Sequence, residues 1–242
     1  MTKAVKKQED TSIVETKKPA RGFEDGVEQD DLIIPRAKLL QAMSPEIVDG
    51  VEGLRPGMII NSLTGEVLPE EFIPVFKFKD FIRFNPRSKD DPNFDSAFEP
   101  GGVIWKTSDP TDPRVEETKF GPNGEKPLAT TFLNFFSHSP GSEMPVIISF
   151  AKTSYKAGKQ LLSLCKFSGG DMFSKKYKLT SQKESNGTDT YYVLKVRASG
   201  IPLDTEFRSS ELLWEGYSRR VQDIQVHDMG EETVGVGGRR PY

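Results

Sequence analysis

The sequence predicts a β-rich α+β domain in which antiparallel strands form a partly open barrel with two added helices. Apolar runs of strand length recur between residues 58 and 198 and are separated by turns rich in glycine and asparagine. Helical periodicity occurs in only two stretches, one before the last strand pair and one after it. Because strands and helices do not alternate along the chain, a doubly wound parallel sheet is excluded.

The chain of 242 residues is predicted to contain one domain between two polar ends. Residues 1–28 are charged and show no hydrophobic period, so we expect a disordered leader. Residues 29–228 contain all the periodic segments and are assigned to a single domain. Residues 229–242 are rich in glycine and are predicted to be a flexible tail.

The first part of the domain is predicted to consist of strands. Pro35 interrupts the run LIIPRAKLLQ, which favours an edge strand or an extended lead-in over a helix. Residues 58–60 and 66–68 form a hairpin through a turn that ends at Gly65. Residues 72–84 alternate, with phenylalanines on one face and Lys77 and Lys79 on the other.

Residues 85–127 differ in composition and predict a long acidic loop. Proline, glycine and aspartate dominate this excursion, and residues 90–125 contain nine acidic and three basic side chains. One short strand is expected at residues 103–105. The excursion is interpreted either as a solvated insertion or as a segment that competes with an anionic ligand near a basic groove.

The second part of the domain returns to strands and contains both helices. Strands are expected at residues 130–138 and from residue 145, followed by a helix at about residues 155–166 that Ser154 would cap. Strands at residues 176–181 and 190–198 enclose an Asn186-Gly187 turn. A last helix is predicted at about residues 210–226, with Ser209 or Ser210 as its cap and with Val221 and Ile224 on its packed face.

The residue types that enzymes and exported proteins require are sparse. One cysteine, Cys165, and two distant histidines do not give the usual zinc-ligand spacing, and no nucleotide-binding or hydrolase motif occurs. The sequence lacks an apolar run of about 20 residues and a secretory signal, and a single cysteine fits a reducing compartment. We therefore expect a non-enzymatic cytoplasmic protein without a cofactor or a membrane partner. A nuclease built on Asp90, Asp91 and Asp95 is the enzymatic alternative.

The segment from Lys152 to Arg197 is the strongest functional signal. It contains ten basic and three acidic residues, a net charge of +7 within a chain whose net charge is -3, and it is interspersed with aromatic rings. Cationic groups neutralise phosphates, and rings stack on unpaired bases with about 1–3 kcal/mol per base. The alternative is ordinary strand aromatics and a solvated lysine face. The candidate nucleic-acid-binding residues are Lys152, Lys156, Lys159, Lys175, Lys176, Tyr177, Lys178, Tyr191, Lys195 and Arg197.

Strand periodicity narrows this set to one face. In residues 191–198 one alternating series is apolar and is assigned to the core, which leaves Tyr191, Lys195 and Arg197 on the outward series. Lys156 and Lys159 lie near a helix start, where unpaired N–H groups attract anions. Tyr177 and Tyr191 are the predicted stacking rings.

Four sequence runs resemble proteins of tailed bacteriophages and prophages. They are IIPRAKLLQAMSPEIVDG, RPGMIINSLTGEVL, FIPVFKF and PVIISFAKTSYKAGKQLLSL, and the likeness covers roughly residues 29–200. Some members of this family look like phage single-stranded DNA-binding proteins of the oligonucleotide-binding (OB) type. The resemblance implies an OB-like barrel that binds single-stranded DNA with little sequence preference during phage replication or recombination in the host cytoplasm. Other phage replication proteins would be partners, and a phage structural or assembly protein is the alternative.

Overall fold

The computed structural model describes residues 33–142, 144–187 and 189–219, together with the backbone of Gln225–Val226. The strands are β1 (Ile33–Ile34), β2 (Ala37–Leu39), β3 (Ile59–Asn61), β4 (Glu71–Phe84), β5 (Val103–Thr107), β6 (Thr130–His138), β7 (Val146–Phe150), β8 (Lys176–Ser185), β9 (Thr190–Gly200) and β10 (Gln225–Val226), and the helices are α1 (Pro45–Val48), α2 (Tyr155–Ser168) and α3 (Asp204–Tyr217). The predicted leader and tail lie outside the described residues, and so do Val221 and Ile224.

The main sheet has six antiparallel strands with β4 at its centre. Its order is β7-β6-β4-β8-β9, and β5 also pairs with β4. β4 pairs with β6 along most of its length, whereas β8 pairs only with its first residues and β5 with its last. The sheet does not close on itself, which leaves β7 and β9 as its edges. The predicted β-rich antiparallel fold is therefore confirmed, and the open sheet is compatible with the predicted OB-like form.

The segment before β3 spans the gap between the two edges. The carbonyl of Pro35 accepts a hydrogen bond from the Ile147 amide on β7 at 2.9 Å. At the other end, the Gln41 amide group bonds both the N–H and the carbonyl of Tyr192 on β9, each at 2.9 Å. The Ser154 hydroxyl accepts the next free amide of β9, that of Leu194, at 3.0 Å. Side chains thus satisfy an edge that could otherwise pair with another chain.

A β-bulge at Val75 divides β4 into two halves that face different sides. Pro74 lies opposite Ser137 and Phe76 lies opposite Phe136, so that Val75 is the extra residue. As a result Phe72 points into the barrel, while Val75 and Phe76 both belong to a second apolar cluster on the opposite face of the sheet. This outer cluster consists of Ile34, Ile73, Val75, Phe76, Phe78, Phe136, Ile147 and Phe173. The predicted exposure of Lys77 and Lys79 is confirmed, but the single unbroken alternation predicted from residue 72 is wrong.

Helix α2 packs against the barrel interior. Its residues Ala157, Leu161 and Cys165 join side chains from β2, β4 and β6 to β9 in the largest core cluster. Gly158 allows the helix to approach β7, because a Cβ there would lie 2.6 Å from Cβ of Phe150. The helix matches the prediction, but the proposed capping by Ser154 is wrong. Ser154 has helical backbone angles, and its hydroxyl bonds β9 instead of the helix.

Helix α3 lies on the outer face of β4 and β6. It begins at Asp204, six residues before the predicted start, so Ser210 lies in mid-helix and Ser209 precedes it there. The predicted serine cap is wrong because Leu203 is the N-cap residue, and its N–H donates to the carboxylate of Glu206 in the first turn at 2.7 Å. Phe207, Leu213 and Tyr217 pack on the outer cluster.

The acidic excursion is ordered around one buried asparagine. The Asn85 side chain donates to the carbonyls of Asp95 and Phe98 at 2.9 and 2.8 Å and accepts the Asp95 amide at 2.9 Å. The predicted strand at residues 103–105 is confirmed as part of β5. Trp105 on β5 packs with Phe81 and with Val115 of a short 3-10 helix, Pro113–Thr118.

Candidate nucleic-acid interface

The β8–β9 hairpin carries the predicted outward face. Leu179 pairs with Val196 and both lie in the barrel core. The neighbouring pairs, Lys178 with Arg197 and Thr180 with Lys195, therefore point outward. Tyr191 lies further along the same side, opposite Glu184. This placement agrees with the alternation in the sequence, although Val193 on the same series is buried.

Tyr177 does not belong to this face. It shares the parity of Leu179, is 1% exposed and packs against Phe72 with 6.0 Å between ring centroids. Burial raises the pKa of Tyr177, and a hydrogen bond to Cys165 adds to this effect. The prediction that Tyr177 stacks on bases is therefore wrong for this structure, since a ring inside the core cannot meet a base.

Carboxylates accompany three of the predicted cations. Lys176 lies 3.3 Å from Glu206 and 3.4 Å from Glu71. Lys195 lies 2.7 Å from Glu184. Burial lowers the pKa of Lys176, but the carboxylates of Glu206 and Glu71 together outweigh this effect, so the pKa is raised overall. Lys178 likewise lies 3.6 Å from the carboxylate of Glu70. The outward face is therefore mixed in charge.

The sequence could not show this compensation because most of the glutamates come from other elements. Glu70 and Glu71 lie at the start of β4, and Glu206 lies on α3, all outside the basic segment. The Ser199 hydroxyl and Lys176 lower the pKa of Glu71, which keeps this carboxylate ionised beside the lysines. The sheet register and the docking of α3 bring these groups together.

The remaining predicted lysines lie elsewhere. Lys152, Lys156 and Lys159 are exposed at and before the start of α2. Because α2 packs against the interior side of the β8–β9 hairpin, these lysines and the outward face lie on opposite sides of that hairpin. The structure thus separates the predicted set into two surfaces.

Lys175 lines a shallow groove between the end of α2 and the start of β8. The groove has a volume of about 290 Å³ and is lined by Leu164, Ser168, Lys175, Tyr177, Ala198, Gly200 and Ile201. Ile201 is 71% exposed, and Phe167 on the last turn of α2 is 86% exposed. This surface is apolar with one cation at its margin.

A third surface, which the sequence did not reveal, is the aromatic outer face. Phe76 stacks on Phe136 with ring centroids 4.7 Å apart and an interplanar angle of 11°. Tyr217 of α3 also stacks on Phe136, with ring centroids 5.1 Å apart and an interplanar angle of 28°. The bulge at Val75 brings Phe76 to this face, and no residue pattern signals such a bulge.

Strand order relates the aromatic outer face to the fold class. OB barrels bind oligonucleotides on the face of their second and third strands and with adjacent loops. If β4 is counted as the first of the five strands β4, β6, β7, β8 and β9, β6 is the second and β7 the third. Phe136 of β6 and Ile147 of β7 lie on that face and are buried, and α3 packs against it.

The structure is that of a β-rich protein whose open antiparallel sheet is compatible with an OB-like fold, with a mixed-charge hairpin face and a helix over its outer sheet. Residues 5–222 match the family model described as Pam3 phage gp34-like protein, and the chain belongs to this phage protein family. No curated protein and no solved structure matches the chain. None of the helices in the described ranges has the length and apolarity needed to cross a membrane.

Proposed function

We propose that this protein binds single-stranded DNA with little sequence preference, in phage DNA replication or recombination, and that it performs no catalysis. The outward row of Tyr191, Lys195 and Arg197 on β9 is the observation that carries the proposal. A ring and two cations on one face of a strand are the groups that stack on unpaired bases and neutralise phosphates. The OB-like fold and the phage family support the same function.

The chemistry of the row explains how binding would occur. Arg197 and Lys178 are cross-strand neighbours whose charges would neutralise phosphates. The bound DNA would displace Glu70 from Lys178 and Glu184 from Lys195. Each neutralised phosphate releases counterions, so affinity falls with salt at about -0.7 per contact on logarithmic axes. Tyr191, which is half-buried, offers one ring face for stacking.

Titration of a fluorescently labelled oligothymidine at 50 and 300 mM salt tests the proposal. We expect saturable binding that weakens with salt. Tyr191→Ala should cost about 1–3 kcal/mol of binding free energy, the value of one stacked base. Lys195→Ala and Arg197→Ala should each reduce the salt slope by about 0.7.

Lys126→Ala supplies the matched control, because Lys126 is an exposed cation in the acidic excursion. It should leave affinity and salt slope unchanged. Lys156→Ala reports whether the α2 surface participates. The proposal is abandoned if the wild-type protein shows no binding at 50 mM salt or if the control variant weakens binding as much as Arg197→Ala.

A structural or assembly role in the phage is the second candidate. The exposed Phe167 and Ile201 beside the 290 Å³ groove favour it, because such apolar surface suits a protein partner. In that case the protein would co-purify with phage particles, Phe167→Ser would abolish this association, and oligothymidine affinity would be absent.

A further inference from the structure

We infer that α3 is an autoinhibitory cover that imitates a bound strand and that single-stranded DNA must displace it. This inference rests on the proposed function. It concerns the aromatic outer face, defined by Phe76, Phe78 and Phe136, and the helix that closes it. The sheet and α3 together therefore have a closed state, which the structure shows, and an open state that can bind the ligand.

The first observation is that α3 presents a ring in the way a base would. Tyr217 lies nearly parallel to Phe136, with centroids 5.1 Å apart. Offset stacking at this distance is the geometry of aromatic pairs and of bases on aromatic side chains. Tyr217 therefore occupies the surface of Phe136 that a base would need.

The second observation is that α3 carries the charge of a nucleic acid. Its sequence DTEFRSSELLWEGY contains four carboxylates and one arginine. One of these carboxylates, that of Glu206, lies 3.3 Å from Lys176, which is a predicted phosphate-binding residue. The helix thus uses both types of contact, stacking and charge neutralisation, that a DNA strand would use.

The third observation is that α3 is attached mainly through one of its faces. Its main contacts are with β4, β6 and the turn at residues 172–174. Residues 201–203 link it to β9, and of these Ile201 and Leu203 are exposed. Leu212 and Trp214 expose apolar surface on other sides of the helix, at 62% and 43%. The helix is held by two ring pairs, Tyr217 on Phe136 and Phe207 against Phe173, by Leu213, and by one polar contact each to Lys176 and His138. A ligand that binds only the open state shifts the equilibrium toward it.

In competition of this kind, the apparent dissociation constant equals the intrinsic constant divided by the fraction of molecules that are open. Weakening α3 should therefore tighten DNA binding, which is the opposite of what a merely structural helix would do. Tyr217→Ala removes the stacked ring, and Glu206→Gln removes the charge on Lys176. We expect each variant to bind labelled oligothymidine at least about threefold more tightly than the wild-type protein.

The control is Leu212→Ala, which removes an exposed apolar side chain from the same helix. It should bind like the wild-type protein. Thermal unfolding checks that each variant is folded, and Glu206→Gln carries the test if Tyr217→Ala is not. A second readout uses Trp105→Phe, which leaves Trp214 as the single tryptophan of the chain. Its emission should shift when oligothymidine is added.

The outcomes separate the two proposals. If the wild-type protein binds and both folded variants bind equally or more weakly, α3 is not a cover and the proposed function stands. An unchanged Trp214 emission at saturating oligothymidine leads to the same conclusion. If neither the wild-type protein nor any variant binds at 50 mM salt, the proposed function fails and the inference fails with it. Tight binding by the variants alone supports both.

Discussion

Whether a side chain in this protein is buried or exposed depends on its position in the alternation of its strand and on contacts with residues that are distant in sequence. Lys195 and Arg197 could be placed outward from the sequence, because a period of two is visible in residues 191–198. Parity also places Tyr177 in the core with Leu179. The two tryptophans lie in different environments, since Trp214 on α3 is 43% exposed whereas Trp105 on β5 is buried. Their environments depend on β5 and α3 packing, which no local pattern encodes.

Asn85 provides a prediction at this scale. Asn85→Asp replaces two N–H donors with an ionised oxygen that faces the carbonyls of Asp95 and Phe98. The two carbonyls would lose their hydrogen-bond donors and would face a negative charge. This change should reduce the free energy of unfolding by about 2–4 kcal/mol. Urea denaturation measures this loss. Asn93→Asp, at an exposed position in the same loop, is the control. An equal loss in both variants would show that the hydrogen bonds of Asn85 do not hold the excursion together.

Among the elements, strands were predicted more accurately than helix α3. The Asn186-Gly187 turn is a local signal, and β8 and β9 pair where it places them. The turn that ends at Gly65 also forms, but residues 66–68 add only one bridge, between Ile60 and Val67, and β3 pairs with β2. α3 begins earlier than predicted because Glu206 caps its first turn, whereas serine was expected to do so. Its docking is also non-local, since the Ser210 hydroxyl donates to the Glu206 carbonyl and must accept from Nδ1 of His138 on β6.

His138 makes the docking of α3 dependent on pH. Burial lowers the pKa of His138 below its ordinary value of 6.5, although Glu206 opposes this effect. The folded protein therefore binds the proton less well than the unfolded chain. Stability is fully present above pH 6.5 and falls as the pH decreases through the lowered pKa.

Chemical denaturation at pH 7.5, 6.5 and 5.5 measures this dependence. The free energy of unfolding should decrease over that range in the wild-type protein. In His138→Gln, which retains a side-chain N–H for Ser210, the decrease should be smaller. Identical pH profiles for the two proteins would show that His138 does not titrate in this way.

At the scale of the whole molecule, the barrel is completed by side chains from separate segments. Gln41 and Ser154 bond the edge of β9, and the Pro35 carbonyl bonds the edge of β7. The sequence predicted the fold class because strand periodicity and turns are abundant. It could not predict which face would bind a ligand, because the charges of Glu71 and Glu206 and the position of α3 follow from tertiary contacts.

The edge of β9 leads to a prediction about association. Gln41→Ala removes both hydrogen bonds to Tyr192, which should lower stability by about 1–2 kcal/mol and expose strand backbone that can pair with another copy. Light scattering should detect association that increases with protein concentration. Gln182→Ala, at an exposed position of β8, should remain like the wild-type protein. Loss of stability without association would show that other groups protect this edge.

The bulge at Val75 also restricts how this chain can change in length. If Val75 were instead paired opposite Phe136, the bulge would be lost, β4 would shift by one residue against β6, and every later side chain of β4 would turn over. Lys77 and Lys79 would then point toward α3, and Phe76 and Phe78 toward the barrel interior. Surface loops of this protein can vary in length, but β4 must keep its residue count on both sides of position 75 for the two cores to form.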